Sequence, residues 1–393
     1  MRPTERAACD TADGPVVTLL AYPIGESGGI AAFVRSLLAT LRSEHDGDFP
    51  LLAPATPEAG QSTRRGQIGF AAKALLALLK ARPQAIQNHE SLPLLCTALL
   101  CKLLLLGGPR VVHTVHVDPA ERKPWLKRAL TGCLFASCDR VVVVSADTHR
   151  RLGNAALLLR CNVGVIYGAP PSVARPSADA LAAFARSFGL ETGPVFCQIM
   201  RFYYPLKVKG AEQLLQAFRR VRRFVPDAQL LLVGSGPLWE AFRVKYGLDT
   251  KTDGVTLTGF VEDPLVPMTL ADVYCHISFQ DALPVTVLEA MSLGKAVLAS
   301  AVGGIPEVIE HDVSGVLTGV DVEDVSRDML RLLHRPDDRS ELGREAARRI
   351  GARLNWTRCA AQYAALYGVV SRTPRRGLEQ VAPRFEHGAA LEP

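Results

Sequence analysis

The sequence predicts an α/β protein of two domains, each built on a doubly wound parallel sheet with helices on both faces. Its 393 residues exceed what one hydrophobic core usually serves. In both halves, apolar runs of strand length alternate with stretches of helical periodicity. Residues 169–177, which read APPSVARPS, are rich in proline and small side chains and predict a linker. The predicted units are an N-terminal domain (1–172), a C-terminal domain (173–355) and a C-terminal helix with a flexible tail (356–393).

The first predicted strand, residues 16–21, is a continuous apolar run, as expected for a strand covered on both faces. Apolar side chains between residues 30 and 41 then recur at the spacing of one helix face. The same alternation continues through both halves of the chain. It predicts further strands at 111–115, 141–145, 163–167, 195–200, 228–233, 255–257, 273–277 and 296–300, and helices at 211–224, 285–293 and 356–369.

The composition excludes several classes of protein. Hydrophobic residues make up 48% of the chain and charged residues 21%, which argues against a largely disordered or coiled-coil protein. The nine cysteines contain no C-x-x-C pair, so we expect reduced thiols rather than a disulfide framework or a zinc site. No secretory signal is visible, and the longest apolar stretch, residues 92–106, is too short to span a membrane. We expect a cytoplasmic protein with a buried or interfacial helix at this stretch.

The positive charge is concentrated in the first half. Residues 1–172 contain 19 Lys and Arg against 13 Asp and Glu, whereas the remainder contains 26 of each. This favours an anionic small molecule or the inner membrane face as a partner, and no basic run with interleaved aromatic residues points to nucleic acid. The group Lys123, Trp125, Lys127 and Arg128 is either an interfacial anchor or a solvated helix face.

The strongest functional signal lies between residues 272 and 310. A predicted strand ends near Ser278 and delivers Asp281 into a loop, Pro284 suits the first turn of a helix, and Glu289 lies within that helix. Open α/β sheets bind ligands at this edge, and a helix N-terminus there offers free N–H groups to phosphate. The alternative is a capping aspartate and a surface glutamate.

This segment resembles the E-x7-E signature of the retaining glycosyltransferases of family 4, which have the GT-B fold. The resemblance covers roughly residues 15–370. It implies two Rossmann-like domains facing across a cleft, with a C-terminal helix that returns to the N-terminal domain. Further similar segments are Gly28-Gly29, His113-Thr-Val-His116, 141–145, Arg201 with Lys209-Gly210, 255–261, 303–307 and the helix that starts at Asn355-Trp356.

The implied activity is transfer of a hexose or N-acetylhexosamine from a nucleoside-diphosphate sugar to an acceptor hydroxyl, in glycan, glycolipid or glycosylated-metabolite biosynthesis. By the same resemblance, Glu289 holds the ribose hydroxyls, Asp281 holds a donor-sugar hydroxyl, and His116 reaches the sugar from the N-terminal domain. A UDP- or GDP-sugar is favoured over an ADP-sugar. The diphosphate is expected to contact Arg201, Thr286 and Lys209, with Lys207 as the alternative to Lys209. Gly28 and Gly29 are expected to face the diphosphate from the N-terminal domain. The nucleotide base is expected to contact Gly259, Phe260 and Val261.

Three departures from the family pattern are visible. Asp281 replaces the first Glu, Ala282 replaces the Gly that usually follows, and the segment from Arg201 to Lys209 is longer than usual. The first two keep open a non-catalytic sugar-nucleotide-binding subunit. A GT-B-fold sugar-nucleotide epimerase is a third reading.

We expect no metal and no other cofactor. The basic side chains and the helix N-terminus supply the positive charge that a divalent cation would otherwise bring to the diphosphate. The sequence Asp46-Gly47-Asp48 has the D-x-D form used by metal-dependent enzymes, but it lies in a polar loop. Gly234-Ser235-Gly236 lacks the third glycine of a dinucleotide fingerprint, since Trp239 stands there.

Overall fold

The computed structural model describes residues 14–21, 28–54, 64–117, 125–154, 161–171, 174–190, 192–249 and 251–369. The N-terminal half forms a six-stranded sheet in which every strand pairing is parallel. Its strands are β1 (Val16–Leu19), β2 (Leu51–Leu52), β3 (Ala85–His89), β4 (Arg110–Val115), β5 (Arg140–Val143) and β6 (Val163–Val165). Its helices are α1 (Gly29–Glu44), α2 (Arg64–Ala81), α3 (Leu92–Leu104), α4 (Trp125–Ala136) and α5 (Ala146–Asn154). The strand order is β2-β1-β3-β4-β5-β6.

The C-terminal half forms a seven-stranded sheet that is parallel except at one edge, where the last strand pairs antiparallel. Its strands are β7 (Val195–Ile199), β8 (Gln229–Val233), β9 (Lys251–Thr252), β10 (Val255–Gly259), β11 (Val273–His276), β12 (Ala296–Ser300) and β13 (Val316–Thr318). The helices that follow the linker are α6 (Ala178–Ser187), α7 (Pro205–Val221), α8 (Trp239–Tyr246), α9 (Leu265–Leu270), α10 (Val285–Ser292), α11 (Ile305–Val308), α12 (Val322–His334), α13 (Pro336–Arg353) and α14 (Trp356–Tyr367). The strand order is β13-β12-β11-β7-β8-β10-β9. The two sheets confirm the predicted architecture.

Each sheet is buried on both faces, as the continuous apolar strands require. In the N-terminal half, α2, α3 and α4 cover one face and α1 covers the other together with α14. The C-terminal helix therefore returns to the N-terminal sheet, as predicted. Asn355 caps its first turn, and the hydroxyls of Tyr363 and Tyr367 reach the side chains of Thr114 and Gln87 at 2.9 and 3.0 Å.

The sequence analysis missed strand β3. Its residues Ala85–His89 are all buried, yet three of the five are polar, so no apolar run marked the strand. The polar side chains are instead paired inside the domain, for example the Gln87 amide with the Thr114 hydroxyl at 2.6 Å. The strands β2, β9 and β13 are only two or three residues long and were also missed.

A carboxylate bridges the two halves on one side of the cleft. Glu307 on α11 accepts hydrogen bonds from the backbone N–H groups of Ala146 and Asp147, at 2.9 and 2.7 Å. These are free donors at the N-terminus of α5, where the helix dipole favours an anion. The Tyr167 hydroxyl also donates to Glu307 at 2.7 Å. The C-terminal domain thus caps a helix of the N-terminal domain.

Candidate active site

Asp281 lies in the loop between β11 and α10, at the carboxyl edge of the second sheet. Its side chain is only 9% exposed and contacts Lys207 Nζ at 2.9 Å and His276 Nε2 at 2.8 Å. Burial opposes ionisation of this carboxyl, but the charge of Lys207 and the hydrogen bond with His276 outweigh it and lower the pKa to about 2. Asp281 is therefore a carboxylate throughout the physiological pH range.

Glu289 lies on α10, one turn further from the loop. It is 8% exposed, and no donor among the described residues hydrogen-bonds its carboxylate. Burial, together with the charge of Asp263, raises its pKa to about 7. The two acidic residues of the motif thus have opposite electrostatic environments, since one is paired and ionised and the other is buried without a partner. A buried carboxylate that lacks donors is suited to accept them from a bound ligand.

The predicted glycine pair Gly28-Gly29 faces Arg201 and the N-terminus of α10. A side chain at Gly28 would come within 3.0 Å of the Arg201 guanidinium, and one at Gly29 within 3.4 Å of Val285. Val285 is the first residue of α10, and Thr286 follows it in the same first turn. The structure therefore brings together Gly28, Gly29, Arg201 and the N-terminus of α10, as the motifs suggested. Pro284 directly precedes this helix rather than occupying its first turn as predicted.

The two candidate lysines point in different directions. Helix α7 begins at Pro205, six residues earlier than predicted, so both lysines lie on the helix, and residues two apart differ by about 200° around its axis. Lys207 points into the cleft and pairs with Asp281, whereas Lys209 is exposed and lies over the Phe279 ring at 4.3 Å. The geometry therefore favours Lys207 over Lys209 as the lysine that lies beside the Asp281 carboxylate.

Three glycines allow the backbones around Asp281 to approach closely. A side chain at Gly210 would collide with the Ile277 carbonyl, so α7 lies directly against the end of β11. Gly303 has a φ of +59° and packs on the Asp281 carbonyl, and the Gly304 N–H donates to the Ala282 carbonyl at 2.5 Å. The motif of residues 303–307 thus fixes the backbone that carries Asp281.

His116 approaches the same cleft from the N-terminal domain. Its Nε2 lies 3.0 Å from Nδ1 of His89, and the Phe33 ring packs edge-on against it at 4.9 Å. Burial, together with the charge of His113, lowers the pKa of His116 to about 3, so the ring is a neutral hydrogen-bonding group near pH 7.

Glu90 positions the segment that carries His116. Its carboxylate accepts hydrogen bonds from the backbone N–H groups of His116 and Val117, at 2.7 and 3.2 Å. Glu90 itself has a φ of +61°, a strained conformation for a residue with a side chain, at the carboxyl end of β3. The sequence analysis did not single out His89, Glu90 or His276.

His116, Lys207 and Asp281 line a cavity of about 130 Å³ between the domains, whereas Glu289 and Arg201 are not among its lining residues. The N-terminal domain contributes His116 and the α5 residues Thr148 and Arg151, and the C-terminal domain contributes Lys207 and residues 280–283. Arg151 is paired with Asp147 at 2.6 Å. The cavity therefore combines cationic, carboxylate and neutral imidazole groups from both halves.

The predicted base-binding residues lie at the end of β10 and directly after it. Gly259 has a φ of +69° and its carbonyl accepts from the Gly234 N–H at 2.8 Å, while Phe260 is 59% exposed. Val261 packs partly against the buried cluster behind the sheet. Gly234 and its neighbour Gly236 pack against the carbonyls of the segment that carries Arg201, which accounts for both glycines structurally.

Comparisons with known proteins identify the family. The family model for glycosyl transferases group 1 matches residues 193–335, and that for glycosyltransferase family 4 matches residues 27–169. N-acetyl-alpha-D-glucosaminyl L-malate synthase of Bacillus anthracis is 25% identical over 297 residues, which are 74% of this chain and 75% of the relative. GDP-mannose-dependent alpha-(1-6)-phosphatidylinositol monomannoside mannosyltransferase of Mycobacterium tuberculosis is 30% identical over 274 residues, 66% of this chain and 70% of the relative. The chain belongs to glycosyltransferase family 4.

The fold of this family 4 chain matches solved structures over nearly its whole length. HepE of Anabaena, solved in complex with UDP and glucose, superposes with a TM-score of 0.72 at 18% identity, covering 90% of this chain and 99% of HepE. The likeness confirms the predicted GT-B fold. The family 4 chain is an enzyme, a glycosyltransferase, and neither the non-catalytic subunit nor the epimerase is favoured by its relatives.

Other predicted features of the family 4 chain lie away from the cleft or outside the described residues. Asp46 and Asp48 are exposed, and the Asp48 carbonyl accepts from Val16 at the amino end of β1, opposite the edge that carries His116. Within the described ranges, no group of three His, Cys, Asp or Glu side chains is arranged to hold a metal ion, and no helix is long and apolar enough to cross a membrane. Lys123, the Trp125 side chain, residues 22–27 before the glycine pair and residues 370–393 of the predicted tail lie outside the described residues.

Proposed function

We propose that this glycosyltransferase moves a hexose or N-acetylhexosamine from a nucleoside-diphosphate sugar to an acceptor hydroxyl, with retention of the anomeric configuration. The observation that carries the proposal is the contrast between Asp281, which is ionised and lines the same cavity as His116, and Glu289, which is buried on the following helix without a hydrogen-bond donor among the described residues. The GDP-mannose dependence of the mycobacterial relative and the UDP bound to HepE support a UDP- or GDP-sugar as donor.

In this arrangement, Glu289 accepts hydrogen bonds from the ribose hydroxyls, and backbone groups of residues 259–261 hold the base. The diphosphate lies between Gly28-Gly29 and the first turn of α10, where Thr286 and the free N–H groups donate to it. Arg201 and Lys207 provide the fixed positive charge that stabilises the leaving group. Asp281 and His116 hold the sugar from the two sides of the cleft.

The transfer step breaks the bond between the anomeric carbon and the diphosphate oxygen, which leaves with the electron pair. The acceptor oxygen bonds to the anomeric carbon on the same face, and the acceptor proton passes to the departing phosphate oxygen. No separate nucleophile is required by this front-face displacement. The negative charge of Asp281 stabilises the positive charge that develops on the sugar in the transition state.

Product analysis tests the proposal. Incubation with UDP- and GDP-sugars and a panel of acceptor hydroxyl compounds is expected to release nucleoside diphosphate only when an acceptor is present, and NMR of the product is expected to show the anomeric configuration of the donor. Inversion would contradict the front-face displacement, and donor turnover without an acceptor would support an epimerase or hydrolase instead.

We predict that catalysis does not require a divalent metal. The cationic groups that face the diphosphate are protein side chains, Arg201 and Lys207, and helix N–H groups. Turnover in EDTA is expected to remain within about threefold of turnover with added Mg²⁺. Complete loss of turnover in EDTA would contradict this prediction.

The ionisation of Glu289 predicts a pH-dependent stability. Its pKa of about 7 in the folded protein exceeds the ordinary value of 4.5, so between these values the folded state keeps a proton that the unfolded state has lost. Stability therefore falls as the pH rises through this window, by up to about 3 kcal/mol. Glu289→Gln is expected to raise the free energy of unfolding above that of the wild type at pH 8 and to leave it nearly unchanged at pH 4.

Urea unfolding at both pH values checks this prediction. Glu262→Gln is the matched control, because Glu262 is exposed and its neutralisation is expected to change stability little at either pH. A Glu289→Gln variant that is less stable than the wild type at pH 8 would contradict this prediction. It would mean that interactions within the folded protein stabilise the Glu289 carboxylate in the absence of a ligand.

The acceptor is proposed to be anionic or lipid-linked and to bind against the N-terminal domain, with peripheral membrane contact through that domain. The support is the excess of basic residues in the first half of the chain. Lys127 on α4 is exposed, as the predicted basic patch requires. Arg151 on α5 is a cationic side chain of this domain that lines the cavity together with His116.

A further inference from the structure

The outer surface of α2, α3 and α4 exposes an unusual number of large apolar side chains. The three helices lie side by side on one face of the first sheet. Eight of the fifteen exposed large hydrophobic side chains in the described residues belong to these helices or to the turn after α3, and we call them the apolar ridge. Its members are Ile68, Leu76, Leu100, Leu103, Leu104, Leu106, Leu126 and Leu130.

The ridge follows from the sequence of each helix. On α3, the buried residues Leu94, Leu95 and Ala98 face the sheet, while Leu100, Leu103 and Leu104 fall on the opposite side, so the helix is apolar all round. Leu106 is 96% exposed in the turn that follows. A helix that is apolar on both sides needs a second apolar environment, and no described part of the chain covers its outer side.

The charges of the same helices identify that environment. The sequences of α2, α3 and α4 contain seven Lys and Arg residues and no Asp or Glu. Lys73 and Lys80 on α2 and Lys127 on α4 are exposed on the same outer faces as the ridge. Apolar side chains bordered by exposed lysines, without any acidic residue on the helices, are complementary to an anionic lipid surface.

The exposed apolar side chains of the C-terminal domain are different. Phe224 is exposed in the turn after α7 and Val244 is exposed on α8, and an acidic residue lies within four positions of each in the sequence, Asp227 and Glu240. Single exposed apolar residues of this kind are normal on a soluble surface. The ridge is therefore a property of one face of the N-terminal domain.

We infer that the outer face of α2, α3 and α4 is a docking surface for an anionic lipid bilayer. The leucines of the ridge enter the boundary between headgroups and acyl chains, and Lys73, Lys80 and Lys127 contact the phosphate groups. The functional role of this docking rests on the proposed lipid-linked or anionic acceptor, which the enzyme would reach at the membrane. Docking on this face leaves the cleft, which opens at the carboxyl edge of the same sheet, beside the membrane.

Vesicle sedimentation tests the inference with the full chain. Recovery is expected to be at least tenfold greater with vesicles of 30% phosphatidylglycerol in phosphatidylcholine than with phosphatidylcholine alone. Leu103→Ser combined with Leu106→Ser is expected to lower the partition coefficient about tenfold. The triple variant Lys73→Ser, Lys80→Ser, Lys127→Ser is expected to lower it about 100-fold, since each surface lysine contributes about a factor of five.

Matched controls come from the C-terminal domain. Phe224→Ser and Arg186→Ser remove an exposed apolar and an exposed basic side chain there, and both are expected to bind vesicles within twofold of the wild type. Thermal shift with nucleotide sugars in the absence of vesicles is expected to be the same for all variants. Loss of that shift in the wild type would count against the proposed donor site and not against docking.

Results of two kinds would overturn the inference. One is equal recovery with neutral and anionic vesicles, or recovery that the leucine and lysine variants do not change. The other is a wild-type dimer in solution that the leucine variant converts to a monomer, which would show that a second copy of the chain covers the ridge.

Discussion

Replacing Asp281 with asparagine is expected to lower kcat by about 100-fold or more, which corresponds to about 2.7 kcal/mol of transition-state stabilisation. The substitution keeps the shape of the side chain and removes the charge. That charge is fixed in the folded enzyme, because Lys207 and His276 hold the pKa of the carboxyl at about 2. The donor KM is expected to change much less than kcat, and steady-state kinetics with saturating acceptor measure both.

Asp281→Glu is the informative companion variant. It introduces the glutamate that the resemblance to family 4 implies at this position, but the extra methylene must fit between Lys207 and the backbone packed against Gly303. We expect partial activity from this variant. An Asp281→Asn enzyme that turns over at the parental rate would show that Asp281 only organises its loop, and it would contradict the proposed mechanism.

Replacing Lys207 with methionine is expected to lower kcat/KM by about 100-fold, the second large effect. Lys207 lines the cavity and supplies the charge beside Asp281, so its loss removes an ion that faces both the carboxylate and the proposed diphosphate. Methionine keeps much of the length and apolar surface of the side chain. The loss is expected to appear with every nucleotide sugar that the enzyme accepts.

Lys209→Met is the matched control on the same helix. Lys209 is exposed and stacks on Phe279, so we expect kcat/KM to stay within about tenfold of the wild type. The opposite ranking of the two variants would place the diphosphate at Lys209, as the position of the Lys-Gly pair in the family motif implies.

The sequence predicted the local elements that carry Asp281 and Glu289 because they lie in one continuous segment. Residues 272–310 contain β11, the Asp281 loop, α10 and the 303–307 turn. Each of these elements is indicated in the sequence by an apolar run, a proline or a glycine pair. The positions of the Asp281 and Glu289 side chains can be predicted from these local elements. Their different ionisation cannot, because it depends on Lys207 and on burial by distant parts of the chain.

The N-terminal half of the site was harder to predict from the sequence. β3 contains three buried polar residues and was not recognised as a strand, so His89 and Glu90 at its end could not be placed beside His116. Two of these polar residues are paired with side chains from β4, 25 to 27 residues away along the chain. The position of β3 between β1 and β4, which brings these residues beside His116, became visible only in the structure.

The distinction between Lys207 and Lys209 also required the structure. Their order in the sequence leaves both available, but the earlier start of α7 at Pro205 makes both helical and turns them to different sides. A difference of six residues in where the helix begins decides which lysine contacts Asp281. Such boundaries depend on packing, here the contact of Gly210 with β11, rather than on local propensity.

Calorimetric titration of the wild type and of Glu289→Gln with UDP-, GDP- and ADP-sugars at pH 8 tests the central claim most directly, that a nucleotide sugar binds in the cleft with its ribose on Glu289. Charge-assisted hydrogen bonds contribute about 1.5–3 kcal/mol each, so the account predicts tight binding of a UDP- or GDP-sugar by the wild type and a loss of at least tenfold in affinity for the variant. Because Glu289→Gln is expected to be more stable than the wild type at pH 8, weaker binding by the variant cannot be attributed to unfolding. Equal affinity of the two proteins, or no binding of any nucleotide sugar by the wild type, would contradict the account.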